Sequence, residues 1–303
     1  YAITTYNIGF GAYNHDFSFF MDQGKMLSGE KVKGKLSKAT SKEIVLTNTR
    51  GAIEEITAFN PDFAFFQEVD TNSTRSFQVN QFKMLQESLA KMASVHVSNF
   101  HSAYLFYPIL DPHGVVNSGI ATFSKYKIDK VIRKSLEITD AFPSKFFDLD
   151  RCFSASYLKT NHDNYLVIVN VHLSAYDKGG VYRKKQLQQL NSFLEVEYQK
   201  GNYVVCGGDF NHDIANSMYV FETKQEKPEW VYALNNDDLN ENFSFATNNN
   251  IPTCRSTDMP YEKNVNYTVV LDGFIVSKNV DVIMVENVDT NFEYSDHNPV
   301  YMK

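Results

Sequence analysis

The chain has 303 residues, with 29 basic and 36 acidic side chains and a formal charge of −7. A hydrophobic fraction of 43% and a charged fraction of 21% make a globular balance and exclude wholesale disorder. The acidic excess argues against a protein that coats nucleic acid by bulk electrostatics, which needs a basic face, but leaves open an enzyme that meets a few phosphates through a bound cation.

In chain order, Ala2 to Ile8 is a short β-rich run. Residues 11 to 40 are rich in Gly, Lys and Ser around an aromatic knot at Phe17, Phe19 and Phe20, and read as a long loop insertion. Thr40-Ser41-Lys42-Glu43 has the capping-box pattern and opens a helix that runs to Phe59 and is closed by Asn60-Pro61. A strand at Asp62 to Phe66 ends in Gln67-Glu68, and Gln78 to Met92 reads as a helix. Strands follow at Ser118–Phe123, Lys127–Ile138, Phe153–Leu158 and Tyr165–His172, separated by polar breaks. Leu187, Leu190 and Leu194 recur at helical spacing within Tyr182–Tyr198, an amphipathic helix. Asn202–Cys206 is a buried strand, and residues 235 to 266, rich in Asn, Asp and Pro, read as loops. Strands at Thr268–Val276, Val280–Val285 and Pro299–Met302 finish the chain.

Strands dominate and helices come at intervals rather than after each strand, which points to a layered α/β sandwich. Length alone allows about two domains at ~150 residues each. No linker, repeat or composition break divides the chain, so a single domain over residues 1–303 is expected. Cys152, Cys206 and Cys254 give neither a disulfide framework nor a zinc-ligand spacing. The sequence opens at Tyr1 rather than Met and runs straight into strand-like residues. That reads as a trimmed chain or a removed leader or anchor, with a lean towards a secreted or membrane-anchored protein and a cytoplasmic one as the alternative.

The polar residues of interest follow or border apolar strands, where α/β folds place ligands. They are Asn7, Glu68, His172, the pair Asp209 and Asn211, Asp272, and the pair Asp296-His297. Singly, each is more often a turn former, a helix cap or a half-buried histidine. Together they supply hard oxygen donors suited to Mg2+, Mn2+ or Ca2+ rather than zinc, and histidine–carboxylate pairs suited to acid–base work near neutral pH. Hydrolysis of a phosphoester needs that inventory.

Asn7, Gln67-Glu68, Asn170-Val171-His172-Leu173, Gly208-Asp209-Phe210-Asn211, Leu271-Asp272-Gly273-Phe274 and Ser295-Asp296-His297-Asn298-Pro299-Val300 stand in the order shown by the endonuclease/exonuclease/phosphatase superfamily, the deoxyribonuclease I-like fold, which the chain resembles over nearly its whole length. The resemblance implies a four-layer αββα sandwich of two mixed β-sheets flanked by helices, with the site at one end of the sheets. It implies that Glu68 is the main Mg2+ ligand, with Asn7 and Asp296 beside it. His297, oriented by Asp272, is implied as general base or phosphate stabiliser. Asp209 would position or deprotonate the attacking water, Asn211 would hold the phosphate, and His172 would stabilise the pentavalent phosphorus or assist the leaving oxygen. Arg151, Asn117 and Arg255 (on a mobile loop) are further candidate substrate contacts, each balanced by a purely structural role. His15, His101 and His113 read as surface residues.

The family cuts DNA, RNA, sphingomyelin, phosphoinositides and small phosphodiesters, and a fold does not choose among them. His172-Leu173-Ser174-Ala175 looks more like the histidine segment of sphingomyelinases and inositol-polyphosphate phosphatases than that of apurinic endonucleases. The negative charge and six arginines weaken a nuclease reading, because duplex binding draws on several phosphate contacts. A lipid headgroup or small phosphoester is therefore the favoured substrate, a metal-dependent nuclease the alternative, and a catalytically silent binding module the third. No stable protein partner is evident and a monomer is expected. The 11–40 insertion is either a lid or membrane-touching lip carrying Phe17, Phe19, Phe20 and Met21, or a loop tucked onto the core.

Overall fold

The structure is a computed structural model and describes residues 1–138, 150–175 and 181–303. In chain order the elements are β1 (Ile3–Asn7), β2 (Gln23–Lys25), β3 (Lys31–Lys33), α1 (Lys42–Ala58), β4 (Phe63–Asp70), α2 (Gln81–Ser88), β5 (Ala93–Leu105), β6 (Gly114–Ser124), β7 (Lys130–Ser135), β8 (Cys152–Lys159), β9 (Tyr165–His172), α3 (Val181–Gln199), β10 (Tyr203–Asp209), β11 (Phe243–Ala246), β12 (Cys254–Arg255), β13 (Thr268–Val269), β14 (Asp272–Ser277), β15 (Val285–Asn287) and β16 (Val300–Met302). Two six-stranded sheets carry the fold, ordered β15-β16-β1-β4-β6-β5 and β11-β14-β10-β9-β8-β7.

Each sheet has one parallel pair near its centre, β1 with β4 and β9 with β10, and every other pairing in it is antiparallel. A parallel pair needs a crossover, and α1 and α3 supply the two crossovers. Leu187, Leu190 and Leu194 of α3 pack on Val167, Val169, Val204 and Cys206 of the second sheet. Ala52, Ile53 and Ile56 of α1 and Leu85 of α2 pack on Tyr6, Ala64, Phe66 and Phe123 of the first. Between the sheets lie Ile3, Phe63, Phe65, Ile168, Val205, Phe274 and Val300. Because side chains alternate along a strand, β9 sends Val167, Val169 and Val171 towards α3 and Ile168 towards the other sheet. Both faces of the central strands are covered, which is why they read as continuous apolar runs. The four-layer αββα sandwich of two mixed sheets is the observed architecture.

The 11–40 insertion is not a bare loop. It carries the β2/β3 hairpin and tucks Phe17, Phe19 and Phe20 into a buried cluster with Phe10, Tyr13, Val45 and Phe100. The aromatic knot is a packing device: of the alternatives open for Phe17, Phe19 and Phe20, they follow that of a segment tucked onto the core rather than a membrane-touching lip. Ser41, not Thr40, caps α1, accepting a hydrogen bond from the Ile44 amide at 3.1 Å. β5 escapes sequence reading because its run Ser94-Val95-His96-Val97-Ser98-Asn99 is mostly polar, as befits an edge strand. β11 and β12 form inside the stretch expected to be loops. The strand expected over Thr268–Val276 is split at Val270-Leu271, and the one over Val280–Val285 reduces to β15. All three cysteines are free and buried. Among the described residues no helix is long and apolar enough to cross a membrane.

Candidate active site

The register of the strands brings the candidate residues together. In the second sheet His172, Asp209 and Asp272 stand side by side on β9, β10 and β14, since His172 pairs with Asp209 and Asp209 with Asp272. In the first sheet Asn7 pairs with Gln67 at the ends of the parallel strands β1 and β4. Beneath this rim Gln67 bridges the two sheets, its amide donating to Asn170 Oδ1 at 2.8 Å, while Asn170 Nδ2 donates to the Ala121 carbonyl at 2.9 Å. This buried amide pair pins the two layers in register directly under the site, a role the sequence does not reveal.

Glu68 reaches the site through a β-bulge. The β4–β6 register shifts between Phe66 and Val69, and Glu68 takes a left-handed φ of 55°, so its carboxylate is re-aimed out of the strand's alternation. Gly9 and Gly208 are needed for close approach. A Cβ on Gly9 (φ +51) would lie 2.9 Å from Asp296 Oδ1, and one on Gly208 2.0 Å from the Val171 carbonyl.

Asn7 is the hub of the acidic side. Its Nδ2 donates to Asp209 Oδ2 at 3.0 Å and to Glu68 Oε1 at 3.4 Å, while its Oδ1 accepts from the Gly9 amide at 3.0 Å. Asp296 is fixed by Ser295, whose hydroxyl donates to the Asn7 carbonyl at 2.7 Å and to Asp296 Oδ1 at 3.3 Å. Burial pushes the Asp296 carboxyl up to about 7, and Glu68 adds to the rise. Glu68 and Asp296, half-buried carboxylates bordering one cavity, repel each other in a way that a hard divalent cation would relieve, so these residues fit such an ion, while Asn7 steadies them through its side-chain amide.

On the histidine side, His297 Nδ1 stands 2.7 Å from Asp272 Oδ2, and its Nε2 lies 3.6 Å from Asp209 Oδ2. Burial would lower the His297 pKa, but the Asp272 carboxylate lifts it well above the ordinary imidazole value. Asp209 is pushed up to about 6 by burial, with neighbouring Asp272 adding to it and His297 opposing. His172 Nε2 lies 3.5 Å from the same Asp209 oxygen. Burial, reinforced by Arg151 and His297, holds its pKa well below normal, so it is neutral near pH 7. The donors of Asp209, Asp272 and His297 all lie within 4.8 Å of one another and by proximity alone resemble a metal cluster. The His297 nitrogen is committed to Asp272, however, so we read this trio as an acid–base relay.

Asn211, at a left-handed φ of 52°, closes the turn after β10. Its amide N–H donates to Asp209 Oδ1 at 2.8 Å and its Nδ2 to the Leu173 carbonyl at 2.8 Å. Arg183 holds that turn from beneath, donating to the Asn211 and Trp230 carbonyls at 2.9 Å each. Buried on α3, it is a positioning residue that reads in the sequence as one more cation of a basic helix face.

Of the three candidate substrate contacts, Arg151 lines the cavity beside His172. Arg255 also lines it but is buried in β12, and its guanidinium donates to the carbonyls of Ser256, Asn14 and Tyr13. It therefore anchors the start of the insertion and does not stand on a mobile loop. Asn117 lies outside the cavity. Its Nδ2 donates to the Asn72 carbonyl at 2.7 Å, and its neighbour Ser118 faces the cavity instead, the one-residue face change that a strand imposes. His113 is fully buried rather than a surface residue, lines the cavity, and has Nε2 3.4 Å from Arg75. His15 is half-buried with Nε2 2.7 Å from the Asn291 carbonyl, and His101 is exposed.

Residues 4–297 match the endonuclease/exonuclease/phosphatase family, and the chain belongs to that family. Among curated proteins it is similar to the inositol phosphosphingolipids phospholipase C of Schizosaccharomyces pombe, 24% identical over 245 residues, 71% of this chain and 58% of that protein. The chain thus spans somewhat over half the length of that relative. Among solved structures, D. rerio TDP2 complexed with single strand DNA product aligns over 99% of this chain and 97% of its own, with a TM-score of 0.59 and 13% identity. The Bacteroides thetaiotaomicron mannosyl-6-phosphatase aligns over 100% and 98%, with a TM-score of 0.58 and 14% identity. At such identities the structural likeness establishes the fold.

Proposed function

We propose that the chain is a divalent-metal-dependent phosphoesterase that hydrolyses a phosphodiester of a lipid headgroup by in-line attack of water on phosphorus. The observation that carries this is that Glu68, Asp296, Asp209 and His297 line one cavity, with Asp272 held behind His297 as the third member of the relay. Glu68 and Asp296, with Asn7 beside them, would hold Mg2+, or Mn2+ or Ca2+ through the same oxygens. That ion supplies Lewis-acid neutralisation of the phosphoryl oxygens.

Asp209, held by the Asn7 and Asn211 hydrogen bonds and ionised at neutral pH, takes the proton of the attacking water. His297, kept protonated by Asp272, faces the developing negative charge on the phosphoryl oxygens, and neutral His172 donates an N–H to the same group. Phosphorus gains the water oxygen and loses the leaving alkoxide, which takes the His297 proton and departs as an alcohol, and the proton taken up by Asp209 returns to His297, whose Nε2 lies 3.6 Å from Asp209 Oδ2. This arrangement favours His297 as charge stabiliser and acid over the role of general base.

Two features support a lipid. Curated similarity runs to a phospholipase C. The β5–β6 turn also exposes Phe106 at 74%, Ile109 at 84% and Leu110 at 100%, an apolar tip next to the cavity wall. Its Tyr107 contacts buried Phe20, and the Tyr107 carbonyl accepts from the His113 amide at 3.2 Å. The surface suited to a membrane is this tip rather than the aromatic knot of the insertion.

The test is a panel of sphingomyelin, phosphoinositides, plasmid DNA, RNA and bis(4-nitrophenyl) phosphate, each with magnesium or with EDTA. Magnesium-dependent lipid hydrolysis that is lost in Glu68→Ala and His297→Ala supports the reading. Full activity in either variant, or turnover of DNA alone, overturns it.

A further inference from the structure

Two polar side chains in the cavity wall have no role in the relay, and each leaves a buried donor unpaired among the described residues. Asn99 is 2% exposed and its Nδ2 makes no hydrogen bond. Ser118 is 1% exposed and its hydroxyl makes none either. Both line the cavity that holds the relay. A buried amide or hydroxyl left unpaired is destabilising, so a ligand that completes both recovers that loss.

The backbone is built to aim them. The β5–β6 register shifts between Ser98 and Phe100, leaving Asn99 as the extra residue of a bulge. A bulge typically re-aims a side chain or ends pairing. Phe100, next in line, pairs with Ser118, so the amide and hydroxyl come from adjoining positions of neighbouring strands.

The surrounding wall restricts the ligand. Asp22 of the insertion lines the cavity and accepts a short hydrogen bond from Thr257, so the wall carries a carboxylate. Three arginines also line it: Arg75 is held by Asp70 in a buried two-bonded pair at 2.9 and 3.0 Å, Arg255 by main-chain carbonyls, and Arg151 stands beside His172 at the relay, where it serves the phosphate. A second anionic group would meet the Asp22 carboxylate, with the Arg75 and Arg255 guanidiniums already engaged and Arg151 on the relay side. A quaternary ammonium would leave the Asn99 N–H donors unpaired against a cation. A ring bearing neighbouring hydroxyls accepts from Asn99, exchanges hydrogen bonds with Ser118, donates to Asp22, and lays its apolar face on Phe19 or Phe100.

We infer that Asn99 and Ser118, with Asp22, form a headgroup subsite for a polyhydroxylated ring, a sugar or a cyclitol, attached to the phosphate. This rests on the phosphoesterase reading for its place in a substrate, but its binding is separately measurable.

The experiment uses the full chain with magnesium and bis(4-nitrophenyl) phosphate as the reporter. Inhibition constants are measured for myo-inositol 1-phosphate, glucose 6-phosphate, phosphocholine and ethyl phosphate. The expected result is that one or both ring phosphates bind about tenfold tighter than ethyl phosphate and phosphocholine, the worth of one or two good hydrogen bonds. The preferred ring phosphate separates cyclitol from sugar. In Asn99→Asp, nearly isosteric but without the amide donors, and in Ser118→Ala, the ratio of ring phosphate to ethyl phosphate collapses towards one. A structural defect would weaken both ligands together and leave the ratio intact, and melting curves identify a variant that fails to fold. Equal affinity for all four ligands, tightest binding of phosphocholine, or an unchanged ratio in both variants overturns the subsite. If the reporter is not hydrolysed at all, the hydrolase reading fails instead, and the same ratios taken by calorimetry decide the subsite.

Discussion

Replacing Asp272 with Asn probes the relay most directly. The His297 Nδ1 to Asp272 Oδ2 contact is 2.7 Å and buried. Two unit charges at that separation in an effective dielectric of about 20 interact by about 6 kcal/mol. Coupling of that size offsets the cost of burying the imidazolium and keeps His297 protonated. An Asn leaves shape and volume nearly unchanged but removes the charge. Burial, which disfavours the imidazolium, then decides, and His297 becomes neutral at pH 7. The expected loss in kcat/KM is about 10^3–10^4-fold at pH 7, similar to other catalytic Asp–His pairs. The loss should shrink as pH falls and His297 regains its proton, so the optimum moves towards acid. The assay is hydrolysis of bis(4-nitrophenyl) phosphate with magnesium from pH 5 to 9, alongside melting curves. The Asp272 backbone N–H keeps its bond to Thr253 Oγ1 at 3.0 Å in the variant, so the fold should hold. More than a tenth of wild-type activity with an unmoved pH profile would refute the assignment of His297 as a cation maintained by Asp272.

Three further outcomes are expected. Phe106→Ser with Leu110→Ser should cut hydrolysis of a vesicle-borne substrate at least tenfold while leaving a soluble ester untouched, because both side chains face solvent away from the relay; equal losses on both substrates would contradict the tip's role. Arg75→Met strands the fully buried Asp70 carboxylate and should cost about 3–5 kcal/mol, read as a fall in Tm of roughly 10 °C, with Arg75→Met/Asp70→Leu recovering much of it. His212, whose pKa burial lowers from 6.5 to about 4, is protonated more readily in the unfolded chain. Stability should therefore fall as pH drops from 6.5 towards 4, by about 3 kcal/mol from this group, and urea unfolding of His212→Gln should lack that portion of the acid sensitivity.

Much of the architecture is legible from local pattern. The amphipathic spacing of Leu187, Leu190 and Leu194, the apolar runs of β9 and β10 and the polar residue that ends each run all report on single elements, each with its own periodicity. The errors share one origin. β5 is an edge strand with polar neighbours, and the insertion's aromatics are buried only because Val45, Val79 and Phe100 happen to reach them. Neither fact is encoded within a window of a dozen residues.

The site divides along the same line. The sequence by itself determined the residue types and their positions at strand ends: Asn7, Glu68, His172, Asp209, Asn211, Asp272, Asp296 and His297 each carry their chemistry and their neighbouring turn residues. Only the tertiary structure decided their pairing. Strand register sets His172, Asp209 and Asp272 in one row, and a bulge turns Glu68 towards Asp296. Alternation sends Ser118 rather than Asn117 into the cavity, and a second bulge adds Asn99. Proton affinities belong to that level too. Burial and a charge a few ångströms away shift His297 and His172 in opposite directions, and both depend on which distant segments the fold packs together.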